Sequence, residues 1–432
     1  MFDQKKVAFY TLGCKLNFSE TSTIGRQLID IGFQKVDFNQ VADLYVINTC
    51  SVTENANREC RRIIRKARRL SPASFIVVTG CYAQLKPNDI SKIEGVDMVL
   101  GANDKFNLPK LLKDLTKNNS PKIHGCEISK LDYFNSFSLN DRTRSFLKIQ
   151  DGCDYPCTYC TIPLARGKSR CDTIDNILQS ASIIASKGIK EIVLTGVNIG
   201  EFKDNNNNFA DLMSNLENVE GIERYRISSI EPNLISDQVI SNVSVSKKFM
   251  PHFHIPMQSG SDLILGKMKR RYQTKLYRNK INNITNKIKD VCIGADVIVG
   301  FPGETDDEFN KTMLFIKDLP ISYLHVFTYS ERENTAAIEF DNVVDKKTRS
   351  ERATKLILLS EKLKRAFYSK YISSHHTALL EEEDHDGFLY GFTDNYIKIK
   401  VPFHKHLQKS KQKVFLQKID SDGIMLSKII TN

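Results

Sequence analysis

Three cysteines spaced C-x3-C-x2-C constrain this chain more than any other feature: Cys153, Cys157 and Cys160, within Asp151 to Arg166 (DGCDYPCTYCTIPLAR). Three thiolates on so short a loop cannot close a tetrahedral zinc site, which takes four ligands. They can hold three irons of a 4Fe-4S cubane, leaving the fourth iron open to chelation by a small molecule. Gly152 and Pro156 are residue types that wrap a chain tightly around such a group.

The flanking pattern describes the scaffold. From Arg142 to Phe340, strand-like runs (Ser145–Ile149, Glu191–Leu194, Arg224–Ser228, Phe253–Pro256, Gly294–Val299, Tyr323–Thr328) alternate with helical ones. Six βα units predict an open, partial (βα)6 version of the (βα)8 barrel, whose chemistry lies at the C-terminal strand ends. The cysteine loop follows the first of these strands, so it lies on that face. TGVNIG, SSIEP and VGFPGE follow the second, third and fifth strands. They make Gly196, Glu231 and Gly300, together with Tyr159 of the loop, candidates for contact with a bound cofactor.

The region before Lys130 also alternates strands and helices, which predicts a parallel α/β sheet. Three of its strands end in a cysteine: TLGC at Cys14, NTC at Cys50 and TGC at Cys81, 36 and 31 residues apart. Parallel strands present their C-terminal ends on one edge, so these thiols are expected to converge on a second open-iron cluster. Residues Thr116 to Asn140, with NNSP and HGCE, lack periodicity and read as a connection. After a long helix (Asp345 to Ser373, apolar at Leu356, Leu359, Leu363, Phe367 and Tyr371), alternating residues predict a small antiparallel β-barrel. The expected domains are 1–130, 142–373 and 374–432, with 131–141 as linker.

A net charge of +11 points to a polyanionic partner. The helix at Thr53 to Leu70 carries Arg58, Arg61, Arg62, Arg65, Lys66, Arg68 and Arg69, a face suited either to solvent or to phosphates. Phe392, Tyr396, Phe403, Lys398 and Lys400 of the last domain have the residue types that stack bases and meet phosphates. Arg166, Lys168 and Arg170 follow the cysteine loop and are further candidates for phosphate contact. No apolar run approaches the roughly 20 residues of a membrane helix, and the first residues lack a signal-peptide pattern, so a cytoplasmic location is expected. There, Cys60, Cys126, Cys171 and Cys292, which match no ligand motif, read as ordinary thiols.

LKIQDGCDYPCTYCTIPLARGKSR resembles the cluster segment of the radical S-adenosylmethionine (SAM) enzymes. TLGCKLN, VINTCSVT and VTGCYAQ resemble the N-terminal ligand motifs of one branch, the radical SAM methylthiotransferases, and the C-terminal piece is similar to their TRAM domain. ADLYVINTC, DRTRSFLKIQDGC, EIVLTGVNIG, RISSIEP, LHVFTYSER and GFTDNYIKI look most like the members that act on threonylcarbamoyladenosine in tRNA. Asp151 stands where the isopentenyladenosine branch generally has Arg.

The resemblance implies two 4Fe-4S clusters: Cys153, Cys157 and Cys160 for the one that binds SAM, and Cys14, Cys50 and Cys81 for an auxiliary one that carries sulfur. It implies methylthiolation of C2 at adenosine 37 in the anticodon loop of tRNA, with SAM as methyl donor and radical source. An electron donor such as flavodoxin or ferredoxin is implied as a partner. Arg142, Arg144 and Arg166 flank the loop as candidates to pair the threonylcarbamoyl carboxylate. The same motifs leave open isopentenyladenosine or a ribosomal-protein aspartate as substrate, or an RNA-binding redox sensor with structural clusters.

Overall fold

The computed structural model describes residues 2–51, 53–117, 120–125, 127–139 and 141–430. Its N-terminal part is a six-stranded, wholly parallel sheet. In chain order the elements are β1 (Lys6–Thr11), α1 (Lys15–Asp30), β2 (Gln34–Val36), β3 (Leu44–Thr49), α2 (Glu54–Leu70), β4 (Phe75–Gly80), α3 (Cys81–Leu85), β5 (Met98–Leu100) and β6 (Lys122–His124). The strands lie in the order β2-β1-β3-β4-β5-β6.

Strands β3 and β4 are buried along their whole length, as unbroken apolar runs are when helices cover both faces. Ile24 and Leu28 of α1 pack on Leu44, Val46, Phe75 and Val77. Ile63, Ile64 and Ala67 of α2 pack on Tyr45, Ile47, Ile76 and Val78 of the opposite face. One sequence expectation is corrected here. The segment read as an unstructured connection contributes β6, a three-residue edge strand too short and too exposed to show a period. Cys126, just beyond it, lies outside the described residues.

The central part is the expected six-unit partial barrel. Its strands are β7 (Ser145–Lys148), β8 (Glu191–Thr195), β9 (Arg224–Ile227), β10 (His252–His254), β11 (Cys292–Val299) and β12 (Tyr323–Thr328). They form two parallel three-stranded sheets, β9-β8-β7 and β10-β11-β12, joined by the bridges Tyr225 to Phe249 and Ser229 to His254. A continuous apolar core lies between the strands and the outer helices. The inner strand positions are charged instead: Lys148, Glu191, Arg224 and Arg226 are all buried.

The long helix runs from Lys346 to Ser369, with Leu356, Leu359 and Phe367 buried as its period requires. A closed five-stranded barrel completes the chain. Its strands are β13 (His375–His385), β14 (Phe388–Thr393), β15 (Lys398–Pro402), β16 (Lys411–Ile419) and β17 (Met425–Ile429), in the order β13-β14-β15-β17-β16. Four of its pairings are antiparallel; closure between β15 and β17 is parallel.

Candidate active site

The cysteine loop leaves the end of β7 and folds back on itself. Gly152 has φ +71°, and a Cβ there would lie 2.0 Å from the Lys168 carbonyl oxygen, so only glycine fits. The Cys153 amide donates to Gly167 O at 3.1 Å, and Thr158 Oγ1 donates to Lys267 O at 2.9 Å. Each sulfur accepts a hydrogen bond. Tyr155 N reaches Cys153 Sγ at 3.4 Å, Ile162 N reaches Cys160 Sγ at 3.5 Å, and Arg270 Nη1 reaches Cys157 Sγ at 3.0 Å. Arg270 is held in turn by an ion pair with Glu231.

Donors aimed at sulfur stabilise thiolate ligands. Burial pushes the Cys160 thiol up to about 12 and raises the Cys153 thiol as well, so a metal bound there would have to displace protons.

The other three cysteines end adjacent strands. Cys14 follows β1 and caps α1, Cys50 follows β3, and Cys81 opens α3 after β4. Gly13 has φ +94°, and a Cβ on it would come within 2.8 Å of Cys50 Sγ. The strand ends therefore do converge. Among the described residues, neither set brings its three sulfurs within 4.8 Å of one another, the separation suited to a single ion; only His254, Asp296 and His325, on the barrel strands, do so.

Between the two sets lies a buried charge network that the sequence did not reveal. Arg166 donates to Glu20 Oε1 at 3.0 Å, Asp151 Oδ1 at 2.9 Å and Asn17 Oδ1 at 2.6 Å. Lys105 reaches Glu20 at 2.6 Å, and Lys148 lies 3.7 Å from both Glu20 and Asp151. Arg170 reaches Asp151 at 3.1 Å. Four cations thus surround two carboxylates beside Cys14 and Cys81, both of which interact electrostatically with Arg166. A buried excess of positive charge favours anionic groups, thiolates included, beside it.

Burial alone would raise the Glu20 carboxyl, but Arg166, Lys105 and Lys148 outweigh it and hold it down at about 2. The ordinary value is 4.5, so this carboxylate's stabilisation is present above pH 4.5 and is lost as pH falls through about 2. Glu20→Gln, which leaves the cations short of a partner, is expected to cost about 3–5 kcal/mol at pH 7. Urea unfolding of variant and parent should converge as pH falls through that window; a gap independent of pH would refute the assignment.

An interdomain cavity of about 270 Å³ opens beside Cys14, lined by all three parts of the chain. Lys15, Phe18, Arg142, Arg144, Phe146, Arg226, His252 and Tyr396 face it. Arg144 is paired with Glu381 at 3.1 Å, and Arg226 is held by Glu191 at 2.9 Å and by the Thr393 carbonyl at 2.6 Å. Lys15 and Arg142 make no ion pair among the described residues. Arg142 packs 4.6 Å from the centre of the Phe18 ring. Lys15 opens to the cavity yet is surrounded by protein; that enclosure, with Arg144 and Arg226 nearby, pulls its amine down to about 8. Burial and Arg226 push His252 well below the ordinary imidazole value, so it is neutral at pH 7.

Several candidates change role. Arg166 cannot meet phosphates or a substrate carboxylate, because it is buried and fully paired. Arg170 is also tied inward, to Asp151 and to the carbonyls of Asp132 and Arg166. Lys168 is exposed as expected. Glu231 holds Arg270 rather than facing a free ligand. The space beside Gly196 is filled by Gln150 and that beside Gly300 by Arg349, so both glycines answer packing needs. Tyr159 packs edge-on against Phe301 and meets Arg270 at 3.4 Å.

Tyr396 is not a free stacking platform. Its ring lies on His252 at 3.9 Å and on Phe392 at 4.8 Å, securing the small barrel to the core. Lys398 lies 5.1 Å from the Tyr390 ring centre, and Lys400 pairs with Asp420. Cys60 and Cys292 are buried in cores and Cys171 is half-buried, as ordinary thiols are. Lys15, Arg226, Glu191 and Arg270 were missed. For Glu191 and Arg226 the visible signal was charge within otherwise apolar strands, as in RYRI at 224–227; Lys15, on a helix, and Arg270, on a loop, carried no such signal.

Residues 147–316 match the radical SAM superfamily, and residues 6–101 match a family described as the uncharacterized protein family UPF0004. The fold and the three-cysteine loop are those of a radical SAM enzyme. Over 404 residues the chain is 40% identical to the threonylcarbamoyladenosine tRNA methylthiotransferase MtaB of Bacillus subtilis, covering 91% of this chain and 89% of the relative. It is 37% identical to MtaB of Aquifex aeolicus, with 94% and 98% covered. It is 28% identical to the tRNA-2-methylthio-N(6)-dimethylallyladenosine synthase of Thermodesulfovibrio yellowstonii, with 92% and 93% covered.

Among solved structures, the radical SAM methyltransferase TsrM of Kitasatospora setae shares the fold, with a TM-score of 0.57 at 14% identity over 78% of this chain and 77% of that one. The chain belongs to the radical SAM methylthiotransferase family and is most like its MtaB-type branch. It is an enzyme of that type, and its superfamily works with SAM and a 4Fe-4S cluster. No helix among the described residues is long and apolar enough to cross a membrane.

Proposed function

We propose that this enzyme methylthiolates C2 of N6-threonylcarbamoyladenosine at position 37 of tRNA, with SAM and two 4Fe-4S clusters. Cys153, Cys157 and Cys160 would hold the SAM-binding cluster, and Cys14, Cys50 and Cys81 the auxiliary one. When bound, these groups supply the radical and the sulfur needed at C2, an aromatic C–H beyond ordinary acid–base chemistry. Arg270 keeps a positive charge on Cys157, and the Arg166 network fixes the two cysteine sets relative to each other. A flavodoxin- or ferredoxin-type donor would deliver electrons, and the small barrel would hold the RNA stem as a TRAM-like domain. An anticodon-loop base leaves its stack at modest cost, which suits a cavity between domains.

The observation that carries the substrate choice is the cation set beside Cys14. A threonylcarbamoyl group ends in a carboxylate, whereas an isopentenyl group is apolar. Lys15 and Arg142, lacking carboxylate partners among the described residues, suit the former. Phe18 and Phe146, edge to face at 5.5 Å, give the base an apolar flank.

A site built around unpaired cations rejects an analogue that leaves them unpaired. In competition between two tRNAs identical except at adenosine 37, we expect preference for the threonylcarbamoyl form by at least about 100-fold. Arg142→Met should erode that preference while retaining SAM cleavage. Equal or better turnover of the isopentenyl form by the parent enzyme would overturn the assignment.

A further inference from the structure

The arginines of α2 serve no purpose in the site described so far. Arg58, Arg61, Arg62, Arg65, Arg68, Arg69 and Lys92 line a shallow surface groove against only two carboxylates, Asp89 and Glu94. Some of this charge is neutralised locally: Arg61 pairs with Glu54, Arg62 with Glu59 and Arg68 with Glu94. Arg58, Arg65 and Arg69 are exposed and have no ion pair among the described residues.

A merely solvated helix face intersperses opposite signs, because like charges three or four residues apart repel. This face does the reverse, with Arg58, Arg62, Arg65 and Arg69 in one row. From Arg58 to Arg69 the row spans about 16 Å at 1.5 Å per residue, long enough to meet several phosphates of one strand. The guanidinium fork matches phosphate oxygens better than an ammonium does. The row also leads to the chemistry. Helix α2 begins at Glu54, just after Cys50, and Arg61 donates to the hydroxyl of Tyr82, the residue after Cys81.

We infer that the Arg58–Arg65–Arg69 row is a docking surface for the sugar-phosphate backbone of the substrate RNA, outside the base-binding cavity. The inference rests on the tRNA reading above and adds a second contact surface on the N-terminal domain. An acidic protein, such as the electron donor, is the competing occupant; an extended row of forks favours a strand of phosphates over a compact acidic patch.

The test is equilibrium binding of whole tRNA to the reconstituted enzyme at 50 and 200 mM salt. The parent is compared with the triple variants Arg58→Gln/Arg65→Gln/Arg69→Gln and Arg58→Lys/Arg65→Lys/Arg69→Lys, with cluster absorbance as the check on folding. Losing three phosphate contacts on one strand should flatten the slope of log K against log salt by about 2, so the parent's advantage shrinks about 18-fold between the two salts. The lysine triple should restore most of the slope. The loss should be equal for tRNA with and without the modification at adenosine 37, because phosphates carry no base identity.

If the parent binds tRNA and the glutamine triple matches it at both salts, the surface assignment falls and the tRNA reading stands. Unchanged RNA binding with slowed reduction by a flavodoxin-type donor would assign the row to the protein partner and overturn it. If the parent binds no tRNA, the functional reading falls, and this inference with it.

Discussion

Replacing Cys153, Cys157 and Cys160 together with Ala is expected to reduce SAM cleavage to the uncatalysed background. The reconstituted chain should then carry about four irons where the parent carries about eight. The effect is total because alanine removes all three thiolates at once, and a cluster of this kind is held by thiolates. The fold should survive, since the loop is closed by Gly152, the Cys153 amide and Thr158 rather than by the sulfurs. Iron counting and 5′-deoxyadenosine release give two independent readouts. A triple variant that keeps about eight irons, or that still cleaves SAM, would show the ligands to be elsewhere.

The second expectation is the mirror image. With Cys14, Cys50 and Cys81 replaced by Ala, the chain should again hold about four irons, yet reduction should still yield 5′-deoxyadenosine. No methylthiolated nucleoside should form, because the sulfur-carrying site is gone. The two sets belong to separate parts of the chain, so the variants should separate cleanly. Among the hydrogen bonds of the described residues, Cys153, Thr158 and Cys157 are held by Gly167, Lys267 and Arg270, all within the barrel part. Mass spectrometry of digested tRNA that detected product from this variant would rule out the strand-end thiols as the point of sulfur delivery.

What could be read from the sequence divides along physical lines. The βα alternation, both cysteine sets and the closing small barrel rest on local patterns, and local patterns survive in one dimension. Helix α1 starts at Lys15, five residues before the apolar period becomes visible, because its N-cap is Cys14, which makes no side-chain cap. Strand β6 escaped because three residues, two of them exposed, carry no period.

Arg166 shows a harder limit. It sits in a basic run, LARGKSR, and looks like surface charge, but its partner Glu20 lies 146 residues earlier. Nothing local distinguishes an arginine that meets solvent from one that meets a distant carboxylate. The cavity cations show the same limit in part. Arg142 and Arg144 were visible beside the loop, whereas Lys15 and Arg226 became relevant only when three separate segments met.

The network around Arg166 also bears on how interchangeable the parts of such a chain are. Glu20 and Lys105 come from the N-terminal sheet domain, Lys148 and Asp151 from the first barrel strand and its loop, and Arg166 from the turn beyond it. Separating the halves would leave Glu20 with Lys105 on one side, and Arg166, Lys148 and Arg170 sharing Asp151 on the other. The two halves are therefore matched to each other in charge across their contact. A chimera that takes its sheet domain from one relative and its barrel from another should fold only if these five residues travel as a set.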